Sequence, residues 1–443
     1  MRLTGLVFAL LISTAALAQE NSPYSRYGIG DIAPNQNIIN RAMGGIAAGY
    51  SDYQSVNFVN PATYGNLSYT LNPSYQRNTI FDFGAEISTK TLKSISPAAK
   101  YSATNLSISY MQLGLPVKLK KANKKGIFLG VSFGLRPVSK VNYKILNFER
   151  VNGVDSLATI YEGSGGMNEA NFGAGVRIKK FNIGFNSGYR FGNKSYSTKL
   201  AFLNDTVTYY QSNSSSKSNF GGMFLNIGTQ YEMKFKNKSV LRLGAYGAVK
   251  QVMSGNQELL RETVTYDAAG TMYKVDSVFA SKNTGNVVYP SSWALGFTYQ
   301  DSSGNWLVGA DYENANWADY RFFDQKDKTQ NTWKIRAGAE YFPAKINTPI
   351  KKYFNFVKYR AGVYYGTDYI NIGTNMPEYG FTFGAGFPLK LRKSFYETQN
   401  SYLNTTIEIG SRGNKNTNLR ESTFRISFGF SLSDLWFNRS KYY

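Results

Sequence analysis

With no histidine and no cysteine in 443 residues, the side chains that could do chemistry here are carboxylates, arginines, lysines and hydroxyls. That removes the imidazole general base, the thiolate nucleophile and the usual nitrogen and sulfur ligands of zinc, so no catalytic residue, metal or cofactor is expected. The informative set is Arg177, Arg190, Arg242, Arg336, Arg360 and Arg425 with Glu232, Asp311, Glu313, Glu340 and Glu408. These residues recur at one phase of alternating segments and their signs nearly balance. A pore of one selectivity would show one sign at its constriction. A balanced set can pair across an enclosed lumen and hold a segment there through charge-assisted hydrogen bonds. Any water-filled interior also carries charges, so the set alone leaves both readings open.

The elements that must position these charges are strands. Met223, Leu225, Ile227 and Tyr231 fall on one face, with Asn226, Gly228, Gln230 and Glu232 on the other. Ile335, Ala337, Ala339 and Tyr341 alternate with Arg336, Gly338 and Glu340. Phe424, Ile426, Phe428, Phe430 and Leu432 alternate with Arg425, Ser427, Gly429 and Ser431. This two-residue period is that of a sheet with one oily face. Small inward residues, Gly173, Gly175, Gly184, Gly188, Gly228, Gly244, Gly338 and Gly362, leave room for a segment against the wall.

Fourteen strands are expected, near residues 78–92, 103–118, 125–145, 168–178, 181–195, 218–235, 239–253, 289–300, 305–314, 331–342, 357–368, 378–388, 402–410 and 421–432. Connections after the first, third, fifth, seventh and ninth are expected to be long, with 196–217 and 254–288 as loops and 213–218 as a loop tip. The intervening ones are short, as in Lys179-Lys180 and Lys236-Asn237-Lys238, until the pattern loosens after the tenth strand, where 343–356 and 389–401 are not tight turns. Alternating long and short connections suit an outer-membrane barrel with tight periplasmic turns. Tyr (34) and Phe (30) near strand ends, among them Tyr189, Phe191, Tyr231, Phe235, Tyr299, Tyr312, Tyr341 and Phe342, suit interfacial girdles.

At the start, Met1-Arg2, the apolar run Leu6 to Ile12 and Ala16-Leu17-Ala18 form a secretory signal, with cleavage expected before Gln19. Beyond it no apolar run is long enough for a membrane helix. Fifty Lys and Arg against 28 Asp and Glu give a charge of +22, but the basic residues are scattered, and no nucleic-acid partner is expected. Lys120, Lys121, Lys124 and Lys125 sit in one short connection and are expected to meet anionic head groups or solvent.

Between the signal and the first strand lies a Gly-, Ala- and Asn-rich stretch with little alternation, holding Arg41-Ala42-Met43-Gly44-Gly45 and then Asn60-Pro61-Ala62. This stretch resembles the N-terminal hatch of the FadL/OmpP1-type outer-membrane proteins, the long-chain fatty acid transporter family. Trp306 to Trp317 and Ala337-Gly338-Ala339-Glu340-Tyr341 also look like that family's strands, and the style is that of Bacteroidota members, some of whose relatives act in protein secretion. The resemblance implies a hatch motif at Arg41, Gly44, Gly45, Asn60, Pro61 and Ala62, a fourteen-stranded barrel, and capture of hydrophobic compounds released laterally into the membrane. It assigns no ligand residues.

The expected architecture is therefore all-β: residues 1–18 a signal peptide, 19–77 a hatch inside the lumen, and 78–443 an antiparallel transmembrane barrel in the cell outer membrane. The expected function is passive uptake of hydrophobic compounds such as long-chain fatty acids. The alternative is a non-transporting accessory or scaffold subunit of an outer-membrane protein secretion or assembly complex; an enzyme is not expected. Outer-membrane lipids, a hydrophobic small molecule and protein partners in such a complex are the expected partners. Phe428 to Leu432, extended by Leu435-Trp436-Phe437, is expected to close the barrel against the first strand. Deleting residues 421–443 should therefore abolish membrane insertion; a heat-modifiable truncated barrel in the membrane fraction would refute this.

Overall fold

In a computed structural model the described residues are 22–52, 54–68, 79–95, 98–117, 119–152, 156–203, 209–267, 271–344, 352–374, 376–389, 401–413 and 419–434. The signal segment 1–18, residues 19–21 and 69–77 of the expected hatch, and Leu435-Trp436-Phe437 lie outside them. Strands β1 to β4 are Thr79–Ser94, Ala99–Val117, Ile127–Arg150 and Ser156–Ile178, followed by β5 Phe181–Leu203 and β6 Gln211–Lys234. β7 is Val240–Ala248 continued by Gln251–Tyr266, and β8 is Met272–Tyr289 continued by Ser292–Gln300. β9 to β14 are Trp306–Ala315, Thr332–Tyr341, Lys358–Thr367, Pro377–Pro388, Tyr402–Arg412 and Leu419–Asp434. Sequential neighbours pair antiparallel, and β14 pairs with β1 from Leu419↔Ser94 to Asp434↔Thr79, so the sheet closes on itself. Fourteen strands form one closed barrel, in the order the alternation predicts. Among the described residues no helix is long and apolar enough to cross a membrane.

The lipid face follows from the period. Met223, Leu225, Ile227 and Tyr231 are all exposed, Met223 at 65%, while Gln230 and Glu232 are buried inside. A barrel in oil leaves no backbone polar group unpaired, which is why closure matters more here than in a soluble sheet. Exposed aromatics stand at both ends of the short strands: Trp306 stacks on Tyr341 at 4.6 Å and Trp293 on Tyr312 at 5.6 Å. Trp306 and Tyr312 lie on one strand six residues apart, a rise of about 20 Å, close to the apolar band of such barrels.

The outer connections differ from expectation. Residues 254–288 are not a loop but the outer halves of β7 and β8, paired from Gln251↔Tyr289 to Tyr266↔Met272. Residues 196–217 belong largely to β5 and β6, and the serine-rich 213–218 is regular strand, Ser218 pairing with Lys194. The first connection is short, with β1 ending at Ser94 and β2 beginning at Ala99. Beyond the bilayer neither face of a strand meets oil, so the apolar alternation that marks a lipid-facing strand vanishes while the backbone ladder continues.

Inside the barrel runs the N-terminal segment. It contains a 3-10 turn Pro23–Arg26, a two-residue strand Asp31–Ile32, a single helical turn Ile38–Arg41 and a 3-10 turn Pro61–Leu67. Asn37 caps the helical turn through its side-chain oxygen, which accepts from Asn40 N at 2.9 Å. Asn60 does the same for the second 3-10 turn, accepting from Ala62 N at 3.1 Å, with Pro61 in the first position where a missing N–H is harmless. The backbone of this segment touches the wall at a belt of inward glycines. A Cβ at Gly228 would overlap the Asn60 side chain, one at Gly244 the Ala48 carbonyl, one at Gly338 the Met43 carbonyl and one at Gly362 the Gly44 amide. Gly173, Gly175 and Gly184 meet Tyr64 and Pro61 in the same way, whereas Gly188 faces the Ala170 carbonyl of the neighbouring strand instead. Gly44 itself lies at φ +68°, and its hydrogen-only α-carbon faces the Val363 and Ala337 carbonyls.

Gly244→Val should therefore displace residues 46–50 rather than be absorbed. The expected loss is about 1–3 kcal/mol, read as a lower urea midpoint in liposomes together with new protease cleavage between residues 22 and 68. Unchanged protection of that segment would count against direct backbone contact.

Candidate functional site

The site is the lumen, and its first anchor is Arg41 at the end of the helical turn. Its Nη1 donates to Glu86 Oε2 at 2.7 Å, its Nη2 to Ser427 Oγ at 3.0 Å, and Glu408 lies 3.8 Å away. Arg425 approaches the same two carboxylates, Glu408 at 2.8 Å and Glu86 at 3.5 Å. Two guanidinium groups and two carboxylates thus neutralise each other, with Arg41 only 3% exposed. Glu86 was outside the sequence-derived set although its signal was present: Asp82, Gly84, Glu86, Ser88 and Lys90 alternate with Phe81, Phe83, Ala85 and Ile87.

The remaining charges divide by role. Asp311 makes no ion pair; its Oδ2 accepts from Ala47 N at 2.6 Å and Ala48 N at 2.8 Å, clamping the segment's backbone. Arg336 donates to Glu313 at 2.9 Å and, more weakly, to the Gly44 carbonyl at 3.4 Å. Arg177 bridges Asn66 at 2.7 Å and Glu232 at 3.0 Å, and Arg242 reaches Glu232 at 2.9 Å. Arg360 pairs with Glu340 at 2.7 Å. Arg190 meets Glu169 at 2.8 Å, a partner shared with Arg136 and also outside the predicted set. The expectation that these groups pair across the lumen is corrected. They pair along the wall, Arg242 with Glu232, Arg360 with Glu340 and Arg425 with Glu408 being direct cross-strand neighbours. Facing residues on adjacent strands stand about 5 Å apart, while the centre of the lumen is filled by the segment.

The motif residues hold the segment in shape. Gly44 N donates to Thr382 Oγ1 at 2.8 Å, and Gly45, at φ +88°, leaves space for the Arg336 guanidinium. Asn60 Nδ2 donates to the Ala48 carbonyl at 2.8 Å and to Thr229 on the wall at 3.3 Å. Pro61 and Ala62 are buried against β4 and β5. Asp52 pairs with Lys358 at 3.1 Å near the turn end.

Two further layers close the barrel on the side of its long strands. Residues 317–320 and 368–370 fold inward with Tyr24 and Ile29 to form an apolar cluster, in which Trp317 stacks on Tyr369 at 4.7 Å and on Tyr289 at 5.3 Å. Lys194 is buried beneath it, donating to the Gly28 carbonyl and to Tyr320 OH. Between this cluster and the Arg41 quartet lies a chamber of about 260 Å³ whose lining includes Lys90, Arg136, Arg190, Arg336, Glu313, Glu378 and Glu421. The same lining also carries apolar side chains, among them Phe58, Val59, Val138, Tyr289 and Trp317, so the chamber is of mixed character. Among the described residues no group of three His, Cys, Asp or Glu could hold a metal ion.

Among the described residues the wall is interrupted between β2 and β3. β2 and β3 pair only between Met111–Val117 and Leu135–Leu129. Farther out, β3 bonds to the N-terminal segment instead: Asp31 and Ile32 pair with Lys140 and Ser139, Ala33 N donates to the Val138 carbonyl at 3.0 Å, and Ser22 N to the Asn142 carbonyl at 3.0 Å. Asp31 fixes this cover through Lys90 at 2.7 Å and Arg412 at 3.0 Å. Burial alone would raise the Asp31 pKa, but Lys90 and Arg412 outweigh it and hold the carboxyl well below the usual range.

A family model described as BamG matches residues 1–443. No curated protein matches the chain in sequence. Among solved structures, the chain is similar to the Pseudomonas putida toluene transporter TodX, at 17% identity and a TM-score of 0.56 over 91% of this chain and 99% of that one. It is also similar to the CymD monoaromatic hydrocarbon channel, at 14% and 0.53 over 93% and 100%. A Pseudomonas aeruginosa FadL homologue matches at 11% and 0.52 over 91% and 98%. At these identities the likeness establishes the fold, a FadL-type barrel.

Arg41→Met should destabilise the barrel by about 3–5 kcal/mol, because it strands Glu86 and Glu408 without one of their cations; adding Glu86→Gln should recover part of the loss. Denaturant midpoints of the two variants decide this, an undiminished loss in the double variant being the contrary result. Asp31, with its depressed pKa, contributes stability that is present above the ordinary carboxylate range and is lost as pH falls through its folded value. Protease protection of residues 22–33 should thus persist into mild acid in the native protein and be weakened already at pH 7 by Asp31→Asn.

Proposed function

The chain belongs to the BamG family, and from that premise we propose that it works as a sealed FadL-type barrel of the outer membrane, a non-transporting subunit of a protein secretion or assembly complex. The observation that carries this reading is obstruction of the lumen at two levels. The N-terminal segment fills the glycine belt, the Trp317–Tyr369 cluster covers the mouth, and the space between them is lined by ion-paired side chains interleaved with apolar ones. A hydrophobic solute would have to displace that cluster to enter, and would then stand beside buried ion pairs as well as apolar side chains. The three structures it resembles are named for hydrocarbon or FadL-type channels, whereas its own family carries a different name.

Cleavage of the signal near Ala18, with residues 19–77 as the hatch and 78–443 as the barrel, belongs to the same proposal. So does the role of Arg41, Gly44, Gly45, Asn60, Pro61 and Ala62 as the motif that seats the hatch, with Asp311 and Arg336 as the wall residues that receive it.

A second reading is passive uptake of hydrophobic compounds such as fatty acids. What favours it is the unpaired stretch between β2 and β3, because a gap facing the lipid is the one place where an apolar solute could leave the lumen sideways. In that case residues 22–33, which bond to the exposed edge of β3, act as a removable cover.

The absence of native cysteine makes a clean test available. Ile32→Cys with Ser139→Cys joins two directly paired positions, fixing the cover to the wall. The sealed-subunit reading expects no uptake of fatty acid or toluene into liposomes in either redox state, and stoichiometric protein partners on gentle extraction from the native membrane. Uptake by the reduced barrel that stops on oxidation overturns it in favour of transport.

A further inference from the structure

On the side of its short turns the barrel is strongly basic. Among the described residues, the connections at 119–126, 179–180, 234–239, 301–305, 342–344 and 352–357 carry ten Lys and one acidic residue, Asp301. Positive charge thus gathers on this rim. Three successive turns of that rim form one continuous surface: Lys179 N donates to the Gly126 carbonyl at 3.0 Å, and Glu232 N to the Lys180 carbonyl at 2.8 Å. Lys121, Lys125, Lys179, Lys180, Lys236 and Lys238 are all exposed there. Among the described residues no carboxylate lies within ion-pair distance of any of the six.

The turns are too short to lift these lysines far from the bilayer. Lys179 and Lys180 alone separate Ile178 from Phe181, and both of those face lipid, at 46% and 42% exposure. Phe235, also exposed, sits between Lys234 and Lys236, and exposed Leu119 precedes the short helix Lys120–Lys124. Apolar side chains anchored in the acyl region with ammonium groups one residue away place the charge at head-group depth. A soluble acidic protein would have to reach a surface whose apolar members are submerged.

We propose that the short-turn rim, centred on the three turns Lys120–Gly126, Lys179–Lys180 and Lys236–Lys238, selects anionic glycerophospholipid head groups over zwitterionic ones. The attraction is between unpaired ammonium groups and the lipid phosphodiester, strengthened where the lipid carries no compensating amine. This holds whether or not the barrel transports anything, so its failure leaves the reading of the lumen untouched.

Native mass spectrometry of the full-length barrel with equimolar phosphatidylglycerol and phosphatidylethanolamine tests it. The expected result is a preference for phosphatidylglycerol on the order of tenfold, lost in Lys179→Gln/Lys180→Gln/Lys236→Gln/Lys238→Gln and kept in Lys274→Gln/Lys326→Gln at the opposite end. Heat-modifiable mobility checks that each variant is folded. Should the quadruple variant not fold, the native barrel is titrated with salt, and the preference must collapse as the charges are screened. Equal binding of the two lipids, or a preference the folded quadruple variant retains, overturns the proposal. A native barrel without lipid preference whose quadruple variant loses a stoichiometric protein partner assigns the rim to that protein instead.

Discussion

The constraint on which the rest of this structure depends is the contact between two backbones: that of the N-terminal segment and that of the barrel wall. A fourteen-stranded barrel is wide enough to leave an aqueous lumen, and here the segment that fills it lies against stretches of wall that carry no side chain. Gly184, Gly244, Gly338 and Gly362 let the segment's own carbonyls and amides lie directly on the strands, so the segment is held at van der Waals distance on many sides at once. Any residue larger than glycine at these places would push the segment towards the opposite wall, where another glycine already fixes it.

Such close seating creates an electrostatic difficulty that the charge pattern resolves. The inner wall of a barrel must be polar enough to be solvated before the segment enters, yet charges left without water afterwards are costly unless each is paired. Pairing along the wall meets both demands. Arg360 with Glu340 and Arg242 with Glu232 are satisfied by cross-strand neighbours regardless of what occupies the lumen. A smaller group, Asp311, Arg177, Arg336 and Glu86, keeps capacity for the segment and spends it on Ala47, Asn66, Gly44 and Arg41. The Arg41 quartet joins the two groups, since Glu86 and Glu408 are shared between a wall cation and a segment cation.

What could be read from the sequence was what lipid writes into it. Met223, Leu225 and Ile227 must face oil, so their alternation is unambiguous, and it fixes both the strand and the inward phase of Glu232. From that phase comes the strand count. Where oil is absent the signal fails: residues 254–288 and 213–218 are ladder-bonded strand with no apolar face to announce it. Partner identity was also out of reach. Sequence gives the side on which Arg190 points but not that Glu169, two strand positions from any predicted acid, is its neighbour, because that depends on register. The segment itself, held by capping asparagines and glycine contacts, has no period at all, and Asn60-Pro61-Ala62 was legible only through resemblance.

These considerations bear on what kind of machine the barrel is. An open pore needs a continuous wet path, and a hydrophobic channel needs a continuous greasy one. In this structure both paths are interrupted: the chamber mixes ion-paired and apolar side chains, the mouth is covered by an apolar cluster, and among the described residues the break between β2 and β3 is bonded over by Asp31 and Ile32. Opening the side gap requires separating Asp31 from Lys90 and Arg412 and releasing the edge of β3, two events in one short segment whose ends lie beside the helical turn that carries Arg41. A movement large enough to pass a solute would therefore strain the quartet as well. A barrel built this way gains rigidity from the same contacts that close it, and on the proposed scaffold reading the tall outer halves of β3 to β8 would be the surface that such a rigid base holds out.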